Sequence, residues 1–462
     1  MKKEVVHFLN SLFLFISCCN YDFSYKLQQI FRLTIPELYK IYLEYPSIQT
    51  DTRKLKAGDI YFALKGENFN GNHFALQALQ SGAAYAVIDE AVDASNEKLI
   101  KVEDVLTTLQ QLAKYHREQF NIPFIAITGS NGKTTTKELI HVVLSSHYTT
   151  YTTEGNLNNH IGVPLTILKV KQDAEMAVIE MGANHQKEIE GYCIYAQPTH
   201  GVISNVGKAH LEGFGGIEGV KKGKGELYDF IRSHNGVVFA FDNYDYLHDM
   251  SKGIQQITWY GTNQGEVAGH VKRSEPFLEV EFTNGTSFQT IQTNLVGDYN
   301  LPNILCAVTI GKYFNVPGDK IKSAIENYVP SNSRSQLIEI GSNKIILDAY
   351  NANPSSMKVA IENFANINTN NKILVLGGMM ELGDESLHEH ETLINLIQKN
   401  NFKNVILVGG NFKHTHQSFT YFDKAGEAAS YIKQQHFHDA YLLIKGSRSM
   451  QMEKVLSAFT IE

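Results

Sequence analysis

Cysteine is scarce in this 462-residue chain: Cys18, Cys19, Cys193 and Cys306 are the four, with no C-x-x-C pair and no metal-like spacing. That excludes a disulfide framework and a cysteine-built metal site, and it points to a reducing compartment, the cytoplasm. Excess positive charge is also missing. The formal net charge is -7, which argues against non-specific binding to a polyanion such as DNA while leaving room for a local basic pocket for a small phosphorylated ligand. No internal repeat or low-complexity tract interrupts the chain. One segment, MKKEVVHFLNSLFLFISCC, has the Lys pair, apolar run and small residues of a secretory or lipoprotein signal. Glu4, His7 and Asn10 interrupt it, and its apolar stretch is too short to span a bilayer. Residues 1–33 are therefore expected to be an N-terminal extension from a non-native start, with translation beginning naturally near Leu33, and no stable membrane insertion is expected.

What is present is ordinary for a globular chain: 43% hydrophobic and 19% charged residues, in a length that suits two or three domains. Residues 34–117 mix short strand-like runs (DIYFAL, AAYAVID) with helical ones (HFALQALQSG, EDVLTTLQQLAKYHREQ), giving a small α/β unit. Pro123 breaks the chain. Across 118–329, apolar strands such as FIAIT, MAVIEM and HGVISNV alternate with amphipathic helices, the pattern of a parallel sheet covered on both faces. A third α/β unit spans 330–462, with KIILDAY, KILVLGG, NVILVGG and AYLLIKG as buried strand candidates.

The first strand-to-helix junction of the central region reads FIAITGSNGKTTTKELI. Gly129 and Gly132 let the backbone turn tightly around Ser130 and Asn131, and the helix opening at Lys133 adds its positive end, so an anion is expected there. Lys133 can reach β- and γ-phosphate oxygens, and the Thr134 hydroxyl, followed by Thr135, is placed to ligate Mg²⁺. This is a P-loop except that Ile127 stands where the usual first glycine would be. Glu180, ending the strand MAVIE, would project from the carboxyl edge of the sheet beside that loop, where it is either a second hold on Mg²⁺ or a surface carboxylate.

Ten strings, in order, run from about Ser47 to Glu453: DTRKLKAGDIYFALKGENFNGNHF, TGSNGKTTTKE, EGNLNNHIGVP, IEMGANHQKEI, NVGKAHLEGFG, KKGKGELY, GDYNLPN, DAYNANPSSM, GGMMELG and KGSRSMQMEKV. The chain thereby resembles the Mur ligase family of peptidoglycan assembly. The resemblance implies a small N-terminal α/β domain for a UDP-linked substrate, a central P-loop domain for ATP, and a C-terminal Rossmann-like α/β domain that closes over the nucleotide and binds the incoming amine. It also implies that His210 and Lys224 join Thr134 and Glu180 around two Mg²⁺ ions, Lys224 as a carbamate. Taken alone, Lys224 is one solvated charge among Lys221, Lys222 and Lys224.

By the same resemblance, Asn158, Asn159 and His160 contact substrate and phosphate, and Asn300 and Asn303 hold the adenine side. Arg334 meets the γ-phosphate and Asp348 the ribose. Tyr350, Asn351, Lys445 and Arg448 serve the incoming amine, and Asp51, Thr52 and Arg53 serve the UDP end. Two positions depart from the family pattern: Tyr299 replaces a frequent His, and Gly378 stands where relatives carry Asp. YNANP and GANH favour the dipeptide-adding branch. The expected reaction is ATP-driven joining of D-alanyl-D-alanine to a UDP-N-acetylmuramoyl tripeptide through an acyl phosphate, by a cytoplasmic monomer with no nucleic-acid partner. Two alternatives stay open: a sister ligase adding one amino acid to a muramoyl peptide or glutamate to a folate, and a non-catalytic nucleotide-binding regulator.

Overall fold

The computed structural model describes residues 33–92, 96–331 and 333–459. The expected extension, with Cys18 and Cys19, falls outside them except for Leu33. The chain divides into two compact units, one ending at Phe120 and including Ile167–Lys169, the other holding Asn121–Thr166 and everything from Val170 onward. Among the described residues no helix is long and apolar enough to cross a membrane.

In the first unit, strands β1 (Ile48–Gln49), β2 (Ile60–Phe62), β5 (Tyr85–Ile88) and β6 (Leu99–Lys101) form a parallel sheet in that order, and β3 (Lys65–Gly66) pairs with β4 (Phe69–Asn70) in a separate hairpin. Helix Ile35–Glu44 starts where Thr34 and Glu37 form a capping box and Pro36 occupies the first turn, where its missing N–H costs nothing. Helix Val105–Arg117 starts at Asp104, whose carboxylate accepts the Thr107 amide at 2.7 Å. The core is built from small side chains, Ala63, Ala75, Ala78 and Ala86, closed by Tyr61 and Ile88.

In the second unit, β7 (Phe124–Thr128), β8 (Thr150–Thr152), β9 (Met176–Glu180), β10 (His200–Ile203), β11 (Val237–Phe241), β12 (Gln256–Gly261), β13 (Val267–Arg273), β14 (Glu279–Asn284) and β15 (Thr290–Gln292) make one sheet, ordered β15-β14-β13-β12-β11-β10-β7-β9-β8. Strands β8 to β13 pair in parallel as expected, but β13–β14 and β14–β15 are antiparallel. The connections 274–278 and 285–289 are too short for a crossover and can close only hairpins. A second sheet, ordered β16-β17-β21-β18-β19-β20, holds β16 (Gln336–Ile340), β17 (Asn343–Asp348), β18 (Lys372–Gly377), β19 (Asn404–Val408), β20 (Thr420–Phe422) and β21 (Tyr441–Lys445), parallel except for β16–β17. Its core, with Ile345, Ile373, Val375, Ile406, Leu442 and Ile444, is almost wholly excluded from solvent.

Strand β7 decides where ligands can sit. It is buried throughout because it lies between β9 and β10, with Ile127 in register with Glu180 and Thr128 with Ile203. From β7 the chain runs outward to β8 on one side and returns to β10 on the other, so β7 is a point where the winding reverses. Crevices at such points lie outside the carboxyl ends of the strands. The loop after β7, the end of β9 and the loop after β10 therefore share one edge.

His200 opens β10 inside an aromatic cluster, stacked on Phe239 at 5.9 Å with Tyr313 and Phe314 edge-on. Burial pushes its pKa from the ordinary 6.5 down to about 4. The unfolded chain therefore takes up a proton that the folded one refuses, so this contribution is intact above pH 6.5 and is lost as pH falls toward 4. His200→Asn should remove about 2 kcal/mol of the stability difference between pH 7 and pH 4.5, read from urea denaturation at both values.

Candidate active site

The Gly-Ser-Asn-Gly turn depends on its glycines because neighbouring groups occupy the space that a Cβ would need. Gly129 has φ +141° and a Cβ there would fall 2.1 Å from Ser204 Oγ and 3.0 Å from Asn205 backbone; Gly132 has φ +75° and a Cβ there would fall 2.9 Å from Asn303 Oδ1. The loop after β10 grips the turn. Ser130 N donates to Asn205 O and Asn131 N to Asn205 Oδ1, both at 2.9 Å, while Ser204 Oγ and Asn205 Nδ2 donate to Asn131 O at 2.7 and 3.1 Å. Ser130 Oγ donates to Gly207 O and accepts Gly207 N, each at 2.9 Å. From the second sheet, Asn353 Nδ2 donates to Asn131 Oδ1 at 2.7 Å. Helix Lys133–Ser145 starts directly from this turn, and Lys133 Nζ folds back onto Gly129 O at 2.6 Å and Ser130 O at 3.3 Å. Burial lowers the Lys133 pKa, a trend that the Glu180 charge opposes and the Arg334 charge reinforces.

Glu180 is 1% exposed. Its Oε1 accepts from Asn158 Nδ2 at 2.8 Å and Thr134 Oγ1 at 3.2 Å, whereas the buried Oε2 has no hydrogen-bond partner. A buried carboxylate oxygen without a donor is costly, and a cation is the ligand that would relieve it. Among the described residues no three His, Cys, Asp or Glu side chains converge. An ion held here would draw its remaining ligands from phosphate and water, which is how Mg²⁺ is usually bound.

His210, at φ +53°, has its Nδ1 in ion-pair contact with Glu381, and that contact holds the Glu381 carboxyl below its usual range. Lys224, on helix Ile217–Ser233, is buried; its Nζ donates to Ala183 O at 2.9 Å and lies 4.8 Å from the Phe214 ring centroid. Burial, reinforced by the charge of Lys133, pushes its pKa well below the usual lysine value. Lys224 thus stands behind the wall residue Ala183 and is not a solvated charge.

These groups surround a cavity of about 800 Å³, lined from the first sheet by the P-loop, Asn158, Asn159, Glu180 and His210, and from the second by Arg334, Asp348, Tyr350, Asn351 and Lys445. The volume suits a nucleotide-sized ligand. The Arg334 guanidinium lies 3.5 Å over the Tyr350 ring, a stacked arrangement that a lysine would not reproduce. Lys445, 2% exposed, is spent on Asp348 Oδ2 at 2.5 Å and Asn351 O at 3.2 Å. Asn300 and Asn303 also line the cavity, yet their amides serve the fold. Asn303 Nδ2 donates to Asn300 Oδ1 at 3.0 Å, its Oδ1 accepts from Thr136 at 3.0 Å, and Asn300 Nδ2 donates to Val296 O at 2.9 Å. Tyr299, the departure from His, places its hydroxyl 2.7 Å from Ser335 Oγ. The departure at Gly378 has a steric cause: a Cβ there would meet Gly410 Cα at 2.5 Å.

Arg448 and His160 are not among the residues that line the cavity. Arg448 is exposed and faces Glu453 at 3.4 Å, and His160 is exposed outside the lining. Asn159 caps the next turn, accepting the Ile161 and Gly162 amides at 3.1 and 2.8 Å. Asp51, Thr52 and Arg53 belong to the first unit, in the turn after β1, where Arg53 Nε and Nη2 donate to Asp51 at 2.9 and 2.8 Å and hold its pKa at about 2. Sequence reasoning missed Ser204, Asn205 and Glu381. The position of Asn205 just past the apolar run HGVI was the available signal.

The model for the Mur ligase middle domain matches residues 127–311, that for the Mur ligase glutamate ligase domain 333–450, and that for the Mur ligase family catalytic domain 44–117. A UDP-N-acetylmuramoyl-tripeptide–D-alanyl-D-alanine ligase of Bacillus subtilis (strain 168) is 33% identical over 423 residues, covering 88% of this chain and 92% of its own. The chain belongs to the Mur ligase family. The fold of this Mur ligase matches the crystal structure of MurF from Acinetobacter baumannii with a TM-score of 0.82 at 31% identity, over 89% of this chain and 93% of that one. It also matches the MurF ligase of Thermotoga maritima in complex with ADP, with a TM-score of 0.81 at 26% identity, over 90% and 97% of the two chains.

In this Mur ligase the close approach of Gly129 to the loop after β10 leaves no space for a side chain. Gly129→Ala should cost about 2–4 kcal/mol in urea denaturation, and adding Ser204→Ala should recover only part of it, because the Asn205 backbone and the positive φ remain.

Proposed function

We propose that this chain joins D-alanyl-D-alanine to a UDP-N-acetylmuramoyl tripeptide at the expense of ATP, in the cytoplasm and as a monomer. The observation that carries the reading is the pairing, at one sheet edge, of an amide-lined lysine loop with a buried carboxylate that keeps one oxygen open. The relatives named as ligases of that dipeptide, and a neighbour crystallised with ADP, support it.

In this reading the phosphates of ATP lie in the 129–134 turn, where backbone N–H groups, the start of helix Lys133–Ser145 and the Lys133 ammonium draw off negative charge. The substrate phosphate replaces the Gly129 and Ser130 carbonyls as the partner of Lys133. Mg²⁺, held by Thr134 and Glu180 with His210 beside them, would neutralise phosphoryl oxygens when bound. The terminal carboxylate of the tripeptide attacks the γ-phosphorus and ADP leaves, giving an acyl phosphate. The amine of D-alanyl-D-alanine then attacks the acyl carbon, phosphate departs, and the amine gives up a proton. Arg334, stacked on Tyr350, meets the phosphate from the side of the second sheet, and the Asp348–Lys445 pair fixes the loop that carries Asn351. Closure of the second sheet over the cavity would keep water from the acyl phosphate. The turn Asp51–Arg53 is assigned to the UDP end.

Lys224 is the proposed site of carbamylation. Burial favours its neutral amine, whose lone pair adds to CO₂ with loss of a proton, and the resulting anion would be attracted to the Lys133 charge that repels the ammonium form.

Phosphate release from ATP and Mg²⁺ with UDP-muramoyl tripeptide, with and without D-alanyl-D-alanine, tests the reading when products are weighed by mass spectrometry. A pentapeptide formed only with all components is expected. Lys133→Ala and Glu180→Gln should each lower kcat by about 10²–10³-fold without loss of fold by circular dichroism. Turnover with a single amino acid or a folate in place of the dipeptide would move the assignment to a sister ligase.

A further inference from the structure

The segment that carries His210 is gripped by side chains from the second sheet at three points. Glu389, buried on helix Ser386–Lys399, accepts from Lys208 Nζ at 2.5 Å, and Glu381, in the loop after β18, pairs with His210 Nδ1. The Ser355 hydroxyl accepts the Lys208 amide at 3.0 Å between them. His210 and Glu381 both have left-handed backbones, at φ +53° and +62°. Such a conformation costs a non-glycine residue of order 1 kcal/mol or more and persists where its surroundings enforce it. The Glu381 side chain is 54% exposed, so packing does not demand a carboxylate there, whereas the imidazole it meets is 20% exposed and faces the cavity.

A carboxylate on Nδ1 fixes the proton on that nitrogen, orients the ring and leaves a lone pair on Nε2. We propose that Glu381 is a positioning residue: reaching over from the second sheet, it holds His210 in the tautomer and orientation that offer Nε2 to a cation at the Glu180 oxygen. The cation site is then complete only while the two sheets are docked as they are here. This rests on the reading of His210 as a group on the cation side. Glu389 supplies the internal comparison, because its ion pair with Lys208 contributes to the same docking without touching the imidazole.

The test uses the full chain with Glu381→Ala, Glu381→Gln and Glu389→Gln, and calorimetric titration of ADP with and without Mg²⁺. In Glu381→Ala the gain in ADP affinity that Mg²⁺ confers should shrink by about tenfold, with kcat lowered about 10–100-fold and the KM for ATP changed less than about twofold. Glu381→Gln, whose amide oxygen still accepts from Nδ1–H, should recover most of both effects. Glu389→Gln should keep the Mg²⁺ gain within about threefold of the parent. In a His210→Ala background, Glu381→Ala should add nothing. A full Mg²⁺ gain in Glu381→Ala would overturn the proposal. So would an equal loss in Glu389→Gln, which would mean that docking alone matters. If the parent binds ADP and Mg²⁺ but makes no pentapeptide, the assigned reaction fails while the calorimetry still decides the role of Glu381.

Discussion

The hydrogen bonds between the turn after β7 and the loop after β10 are the constraint on which the rest of the site depends. Ser130 and Asn131 have their backbone amides met by Asn205 and the Asn131 carbonyl by Ser204 and Asn205, while Gly207 meets the Ser130 hydroxyl, so the turn is held largely from outside. Close contact of this kind is available because β7 and β10 are parallel neighbours that end together, Thr128 beside Ile203. Gly129 follows from it: at the distance these bonds require, there is no volume for a Cβ. Helix Lys133–Ser145 then begins in a fixed direction, and Thr134 comes within reach of Glu180.

Charge is concentrated at this edge against the cost of burial. Lys133 and Lys224 are both pushed toward their neutral forms, and Glu180 is the carboxylate that offsets the first of them. An arrangement with one buried lysine, a second partly buried one and an unpartnered carboxylate oxygen would be a poor choice for stability alone. It makes sense where anionic phosphate and a cation complete it. The second sheet closes the same edge with polar contacts, Asn353 to Asn131, Ser355 to Lys208, Glu389 to Lys208 and Glu381 to His210. These are individually modest and reversible, which suits a boundary that has to let substrate in and product out.

Much was legible in the sequence because it is local. The strand-turn-helix pattern around Gly129 to Thr135, the buried strands of both large sheets and the helical run EDVLTTLQQLAKYHREQ are each set by neighbours within a few residues. The antiparallel strands β13 to β15 were not anticipated, since their apolar positions alternate only partly and two-residue periodicity is hard to separate from a short buried strand. Of the residues carried over by family likeness, Arg334, Asn303 and Lys445 line the cavity, Asn303 also bracing the helix start and Lys445 pairing with Asp348, whereas Arg448 lies on the outside with Glu453.

By itself the sequence determined the class of fold, the position of the phosphate turn and the family, because glycine, lysine and apolar spacing act along the chain over distances of a few residues. Only the tertiary structure decided which carboxylate keeps a free oxygen, that Lys224 is buried behind Ala183, that no side chain fits at Gly378 and that Glu381 meets His210. Those facts depend on strand order and on segments well separated in sequence meeting at the sheet edges, where burial and hydrogen-bond partners, rather than residue type, set what each group can do.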